Sequence, residues 1–204
     1  MILLYGGTFN PIHYGHIIPL QNLANQLNPD RLIYIPCHLP PHKAVPSVSG
    51  QDRLEMTRLA VTANKFSCPV DVSDYELLQS GKSYTALTLQ HFKSQYPHQN
   101  IAFVIGMDSL LSLHTWYEWQ HIVETTHLYV LTRPGYVLDI EALHPKISER
   151  IDDSIHLINN TEVELASSKL REQLEQLAVT LPPKLDQQIP ASVLTYIKDN
   201  QLYS

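Results

Sequence analysis

The sequence predicts an α/β fold in which helices cover both faces of a parallel sheet. Short apolar runs of strand length alternate along the chain with segments of helical period, and several of the runs are nearly unbroken. Strands that are apolar on both faces belong in a sheet with helices on both sides, which is the parallel α/β arrangement. The chain has 204 residues, 44% of them hydrophobic, so a single domain over residues 1–204 is expected.

The order of the elements is that of a single-domain Rossmann-like sheet. The predicted strands are the apolar runs at residues 2–5, 32–35, 70–72, 101–105, 128–131 and 155–158. The predicted helices lie at residues 15–27, 51–64, 83–96, 116–124, 167–177 and 191–200. In the second of these, Leu54, Leu59 and Ala60 are spaced for one face. The segments 36–46 and 133–154 are expected to be long loops, which tend to carry function.

Composition excludes several classes of protein. Fourteen Lys and Arg against twenty Asp and Glu give a net charge of −6, which argues against a protein that grips nucleic acid by its backbone. No apolar stretch approaches the roughly 18 residues of a membrane span, and the first residues lack a secretory signal, so a cytoplasmic protein without membrane contact is expected. Cys37 and Cys68 form no C-x-x-C pair, and the histidines show no metal-ligand spacing, so no protein-built metal site is expected.

A glycine pair follows the first predicted strand. Ligands of an open parallel sheet bind beyond the carboxyl ends of the strands, and Gly6 and Gly7 would let backbone N–H groups approach a phosphate there. The surrounding sequence matches neither G-x-G-x-x-G nor G-x-x-x-x-G-K-S/T. His13 and His16 lie on either side of Gly15 at the start of the next helix, where two imidazoles and a helix amino terminus favour an anion.

The string GGTFNPIHYGH at residues 6–16 is similar to the T/H-x-G-H signature of the nucleotidyltransferase superfamily, and most similar to the bacterial nicotinate-nucleotide adenylyltransferase family. The resemblance implies catalytic roles for His13 and His16. It implies ATP contacts from Gly6, Gly7, Thr8 and Phe9. Phosphopantetheine adenylyltransferases and cytidylyltransferases share this first motif, so it indicates the reaction class better than the substrate. The resemblance continues to the segment IPASVLTYI at residues 189–197.

A second motif lies at residues 165–171, LASSKLR. Alone, it would be an ordinary serine N-cap followed by a charged helical turn. Beside the first motif it resembles the family's I-S-S-T-x-I-R element, which implies triphosphate binding by Ser167 and Ser168 and a catalytic role for Arg171. A guanidinium there can stabilise charge on the β- and γ-phosphates. Ala166 stands where the family usually has serine and offers no hydroxyl.

Further matches imply a site for the mononucleotide. Residues 36–43 resemble P-x-x-x-P-P-H-K/R, whose cationic end, here Lys43, would meet a phosphate. Ser83-Tyr84-Thr85 is similar to the family's S-Y-T, in which backbone at the threonine faces the nicotinate carboxylate; the motif can also be a helix N-cap, and the two interpretations are compatible. Trp116 would stack on the pyridine ring and backbone at Tyr117 would lie near its carboxylate, while Trp119 is expected to pack in the core.

Two strand ends complete the implied site. Gly106-Met107-Asp108 matches the family's G-x-D, so Gly106 is expected at the ATP site and Asp108 beside ribose hydroxyls of either nucleotide. Arg133 belongs to an R-P-G match and would line the ATP site, although a strand-exit turn explains Pro134 and Gly135 equally well.

The resemblance implies an ATP-dependent adenylyltransferase of NAD biosynthesis, with ATP and nicotinate mononucleotide as substrates and Mg²⁺ arriving with the ATP. One alternative within the class is an enzyme that acts on the amidated mononucleotide or on phosphopantetheine. An alternative outside it is a non-catalytic nucleotide-binding module. The sequence leaves open whether the protein is a monomer or a homo-oligomer.

Overall fold

The computed structural model describes residues 1–41, 45–132, 138–159, 165, 167–175 and 184–203. Six strands form one sheet in the order β3-β2-β1-β4-β5-β6, and every neighbouring pair is parallel. The strands are β1 Ile2–Gly7, β2 Arg31–Pro36, β3 Val70–Val72, β4 Ile101–Gly106, β5 His127–Thr132 and β6 Ile155–Asn159. The predicted parallel sheet is therefore confirmed, with the strand order of a Rossmann-like fold.

Helices cover both faces of this sheet, as predicted. In the described ranges they are α1 Tyr14–Leu27, α2 Gly50–Ala63, α3 Thr85–Gln95, α4 Met107–Ser112, α5 Trp119–Thr125, α6 Pro145–Ser148, α7 Ser167–Glu175 and α8 Ala191–Asp199. Leu3 of β1 packs in a cluster with α1, α2, α7 and α8, whereas the adjacent Leu4 packs in a second cluster with α3, α4 and α5. No helix in the described residues is long and apolar enough to cross a membrane.

Two predictions about element ends are wrong. Gly6 and Gly7, expected in a turn after the first strand, are part of β1, where they pair with Ile35 and Pro36 of β2. The helix predicted at residues 116–124 begins only at Trp119, because Glu118 before it adopts a left-handed φ of 52° that interrupts the helix. The other predicted helices match the structure within two residues at their described ends.

Within the described residues, two short α-helices lie where none was expected. The helix α4 follows β4 without a loop, and α6 lies within the segment 133–154 that was predicted to be a loop. Both are short, at six and four residues, and neither is long enough to show a helical period in the sequence.

The strand order reverses between β1 and β4. After β1 the chain turns to α1 on one face, whereas after β4 it turns to α4 on the opposite face. The two connections diverge and leave a crevice beyond the carboxyl ends of these strands, which is the usual ligand position in such a sheet.

Candidate active site

A cleft of about 1270 Å³ occupies that crevice. Its volume exceeds the roughly 300–1,000 Å³ that is common for a site holding one small molecule. All the predicted site residues within the described ranges line it, namely Gly6, Gly7, Thr8, Phe9, His13, His16, Thr85, Gly106, Asp108, Trp116, Tyr117, Ser167, Ser168 and Arg171. Lys43 and Arg133, also predicted to act, lie outside the described residues, as does Ala166.

Two histidine rings and a serine hydroxyl meet at the start of α1. The ring centroids of His13 and His16 are 3.8 Å apart, and the backbone N–H of His13 donates to Nδ1 of His16 over 3.3 Å. Nε2 of His13 lies 3.0 Å from Oγ of Ser167, which is 154 residues away in the chain. A Cβ on Gly15 would come within 2.8 Å of the His13 ring, so only glycine leaves room for this packing.

His13 is an almost fully buried imidazole, with 3% of its surface exposed. Burial lowers its pKa to about 4, so the ring is neutral near pH 7. Its Nδ1 atom is buried and has no hydrogen-bond partner in the described parts of the chain. Buried polar atoms rarely lack a partner, which suits a position that a ligand completes.

The amino ends of α1 and α7 lie together at this histidine pair. Ser167 is the first residue of α7, and its contact with His13 brings the positive ends of both helix dipoles to one place. Arg171 follows one turn later in α7, and its Nη1 donates to the backbone carbonyl of Asn10 over 2.9 Å. His13, His16, Ser167 and Arg171, called the phosphate cluster below, therefore form an environment that favours an anion.

Side chains from other elements contact the turn that links β1 to α1 and fix its position. Nη1 of Arg53, a side chain that is 1% exposed, donates to the carbonyl of Thr8 over 2.7 Å. Phe9 has a left-handed φ of 47°, and its 1% exposed ring packs edge-on against His16, so a ligand can contact little more than its backbone. Asn10 is also buried, and its Oδ1 accepts from the hydroxyl of Tyr203 over 2.7 Å.

The start of α3 forms another part of the wall. The N-cap of α3 is Tyr84, the middle residue of the Ser83-Tyr84-Thr85 motif, and its side chain makes no capping bond. Oγ of Ser83 instead accepts from the backbone N–H of His38 over 2.9 Å, which ties α3 to the loop after β2. Thr85 opens the helix with its side chain half-buried at the cleft.

Aromatic side chains line the cleft near α3. The rings of Tyr84 and Tyr117 are 5.1 Å apart, and Tyr117 is 49% exposed. Trp116 is half-buried and packs partly on the hydrophobic core while it also lines the cleft. Trp119 packs on the same core edge-on to His144 and is not part of the cleft wall, as expected.

Among the described residues, two carboxylates line the cleft. Asp108 is exposed in the first turn of α4, and a Cβ on Gly106 would lie 2.8 Å from its Oδ1. Glu76 was not identified from the sequence. It is buried, accepts from Oγ1 of Thr88 over 2.6 Å, and has its pKa raised by that burial. It lies in a single short turn, which carries no sequence signal.

Sequence reasoning also missed Arg53, Asn10 and Tyr203. A signal existed for Arg53, because it shares the buried face of α2 with Met56 and Ala60, where a charged residue is unusual. None existed for the contact between Asn10 and Tyr203, which are 193 residues apart.

Comparison with known proteins shows the family to which this chain is similar over most of its length. The model of the cytidylyltransferase-like family matches residues 4–173. The chain is 36% identical over 217 residues to a probable nicotinate-nucleotide adenylyltransferase of Idiomarina loihiensis, with 98% of both proteins covered. It is 37% identical over 211 residues to one of Shewanella pealeana, covering 98% of this chain and 94% of the relative.

Solved structures show the same fold. The nicotinic acid mononucleotide adenylyltransferase of Plasmodium falciparum complexed with APC has a TM-score of 0.80 and 20% identity, covering 99% of this chain and 96% of the other. The same protein complexed with NaAD has a TM-score of 0.81, 21% identity and the same coverage.

Proposed function

Because this chain belongs to the cytidylyltransferase-like family, we propose that it transfers the adenylyl group of ATP to nicotinate mononucleotide. The products are nicotinate adenine dinucleotide and pyrophosphate. The observation that carries this assignment is one cleft that joins the phosphate cluster to Thr85, Trp116 and Tyr117, with near-full-length similarity to nicotinate-nucleotide adenylyltransferases.

The reaction is an in-line displacement at phosphorus. An oxygen of the mononucleotide 5′-phosphate forms a bond to the α-phosphorus of ATP, and the bond from that phosphorus to the oxygen bridging to the β-phosphorus breaks. Pyrophosphate leaves with the electron pair of the broken bond. The attacking phosphate is largely ionised near pH 7, because its second pKa is about 6, so no side chain has to remove a proton.

The task of the protein is therefore to hold two mutually repelling anions in line and to stabilise charge on the leaving group. The positive ends of α1 and α7 face the phosphates, and the guanidinium of Arg171 stabilises the departing pyrophosphate. His13 and His16 donate hydrogen bonds to phosphate oxygens. Ser167 and Ser168 bind the triphosphate, and the backbone of residues 6–9 and Gly106 lies along the ATP.

The remaining cleft residues receive the acceptor. Trp116 stacks on the pyridine ring, backbone at Thr85 and Tyr117 faces its carboxylate, and Asp108 accepts from ribose hydroxyls. Lys43 binds the phosphate of the mononucleotide, and Arg133 lines the ATP site.

Mg²⁺ enters with ATP as part of the substrate and partly neutralises the triphosphate. The phosphate cluster suits this arrangement, because imidazole, hydroxyl and guanidinium groups bind phosphate oxygens and are poor ligands for Mg²⁺. No group of three or more His, Cys, Asp or Glu side chains that could hold a metal occurs among the described residues.

The reaction is assigned to the cytoplasm, where ATP is available. Cys37 and Cys68, which both lie in the described part of the chain, are not joined in a disulfide, as is usual in a reducing compartment.

Pyrophosphate release tests the assignment. The protein is given ATP and Mg²⁺ with nicotinate mononucleotide, nicotinamide mononucleotide or phosphopantetheine in separate reactions. Fast release with nicotinate mononucleotide and slow release with the other two is expected. Release with phosphopantetheine alone would assign a different acceptor, and ATP binding without release under any condition would make the protein a nucleotide-binding module.

A further inference from the structure

A tyrosine beyond α8 contacts the turn that forms the floor of the phosphate cluster. The hydroxyl of Tyr203 donates to Oδ1 of Asn10 over 2.7 Å, and the backbone carbonyl of the same Asn10 accepts from Nη1 of Arg171 over 2.9 Å. Asn10 is only 6% exposed. Both hydrogen bonds are therefore largely shielded from water. One residue therefore connects Tyr203 to the guanidinium at the cleft.

The segment that carries Tyr203 is itself firmly placed. The backbone N–H of Leu202 donates to the carbonyl of Ile197 in α8 over 3.0 Å, and both Leu202 and Tyr203 pack on the core. Tyr203 has a left-handed φ of 66°, a conformation that is unfavourable for a bulky side chain and persists only where the surroundings impose it. Burial raises the pKa of its hydroxyl, so the group remains a donor at neutral pH.

We propose that Tyr203 is a positioning residue for the triphosphate of ATP, acting through Asn10 on Arg171. This inference rests on the proposed function. A guanidinium has five N–H donors, so one bond to the carbonyl of Asn10 orients the group and leaves other donors for phosphate oxygens. Without the Tyr203 hydroxyl, buried Oδ1 of Asn10 loses its donor, and the carbonyl that orients Arg171 is no longer held in one place.

A second tyrosine provides a matched control. Tyr196 lies in α8 and donates its hydroxyl to Oδ1 of Asp52 over 3.0 Å, so it also joins α8 to another element through a phenol. It is not part of the cleft wall, and its hydroxyl bonds to Asp52 where that of Tyr203 bonds to Asn10. Replacing either tyrosine by phenylalanine removes one hydroxyl and keeps the ring.

The test compares Tyr203→Phe with Tyr196→Phe in the full chain. Calorimetry measures the Kd of an ATP analogue with a methylene group between the α- and β-phosphorus, and kinetics measure KM for each substrate. Tyr203→Phe is expected to raise the Kd of the analogue by about three- to tenfold and to change KM for nicotinate mononucleotide less than about twofold. Tyr196→Phe should leave both within about twofold. Equal Kd values for the two variants, or equal weakening of both substrates, would overturn the proposal.

A double substitution tests whether the effect passes through Arg171. In an Arg171→Ala background, Tyr203→Phe should weaken the analogue no further, because the group it orients is gone. Full additivity of the two changes would contradict the proposed route. The Kd is measured without any transfer of the adenylyl group. Failure of the proposed function would therefore appear as missing pyrophosphate release, and failure of this inference as an unchanged Kd.

Discussion

At the scale of single residues, the charge of His13 decides what the phosphate cluster presents to an incoming anion. Its ring is neutral near pH 7 because burial lowers the pKa to about 4. A neutral imidazole has one donor and one acceptor nitrogen, and the tautomer decides which of them faces Ser167. Phosphate oxygens near the ring would favour its charged form, so ATP binding should raise this pKa.

Stability should depend on pH through the same residue. The folded-state pKa of about 4 lies below the unfolded value of 6.5, so between these pH values the unfolded chain binds a proton that the folded chain does not. Unfolding free energy should therefore fall by about 3 kcal/mol as pH decreases from 6.5 to 4, at about 1.4 kcal/mol per pKa unit. Urea unfolding of wild type and His13→Gln across this pH range measures the contribution of His13 to the unfolding free energy, because the variant lacks the titrating imidazole. A difference between the two proteins that does not change with pH would contradict the account.

His16 should act mainly in the transition state. His16→Ala should lower kcat by about 100-fold while KM for ATP changes only a few-fold, because a donor to developing charge contributes most where that charge is greatest. His114→Ala is the control, since His114 is exposed and is not part of the cleft wall. Steady-state kinetics measure kcat and KM of both variants. An unchanged kcat for His16→Ala would contradict a role of His16 in the transition state.

At the scale of elements, Arg53 joins three segments near the cleft. From the buried face of α2 it donates to the carbonyls of Thr8 after β1, His38 after β2 and Val48 before α2, over 2.7, 3.3 and 3.4 Å. Among the described residues, none of these three carbonyls accepts a backbone hydrogen bond. The guanidinium therefore replaces the missing backbone hydrogen bonds.

Loss of this side chain should cost stability. Arg53→Met keeps the length but leaves buried carbonyls without donors, so unfolding free energy should fall by about 1–3 kcal/mol. Arg58→Met on the same helix is the control, because Arg58 is exposed and pairs only loosely with Glu55, at 3.8 Å. Its effect should stay within about 0.5 kcal/mol. Denaturant unfolding measures the loss of unfolding free energy in each variant. Equal losses would show that the hydrogen bonds of Arg53 do not stabilise the fold.

The segment between α4 and α5 carries two tryptophans with different tasks. Trp116→Ala should raise KM for the mononucleotide by about tenfold with a smaller change for ATP, because only the mononucleotide would lose its stacking partner. Trp119→Ala should instead lower the melting temperature without favouring either substrate, since its ring packs on the core. Kinetics with each substrate varied separately provide the measurement. Equal weakening of both substrates by Trp116→Ala would contradict the assignment.

The elements differ in how far the sequence predicted them. The strands were recognisable because adjacent residues such as Leu3 and Leu4 are both fully buried on opposite faces, which leaves an unbroken apolar run. The start of α5 was not, because it depends on the backbone conformation of Glu118. The cleft residues were predicted by a resemblance of motifs, but the contacts of Asn10 with Arg171 and Tyr203 span 161 and 193 residues and leave no local pattern.

At the scale of the whole molecule, the strand order creates the site. The strands β1 and β4 are neighbours, and the connections that follow them lead to opposite faces of the sheet. A cleft therefore lies at their carboxyl ends. The same arrangement places α7, which comes late in the sequence, beside α1. The phosphate cluster therefore forms only when the two ends of the chain have packed on the same face of the sheet.

In the proposed reaction, the adenylyl group of ATP is transferred to nicotinate mononucleotide in this cleft. The most direct measurement follows ATP carrying radioactive phosphorus at the α position, mixed with Mg²⁺, nicotinate mononucleotide and the protein. We expect the label to move into nicotinate adenine dinucleotide, none to enter pyrophosphate, and Arg171→Ala to slow the transfer strongly. Label that stays in ATP, or that is released as AMP without entering a dinucleotide, would contradict it.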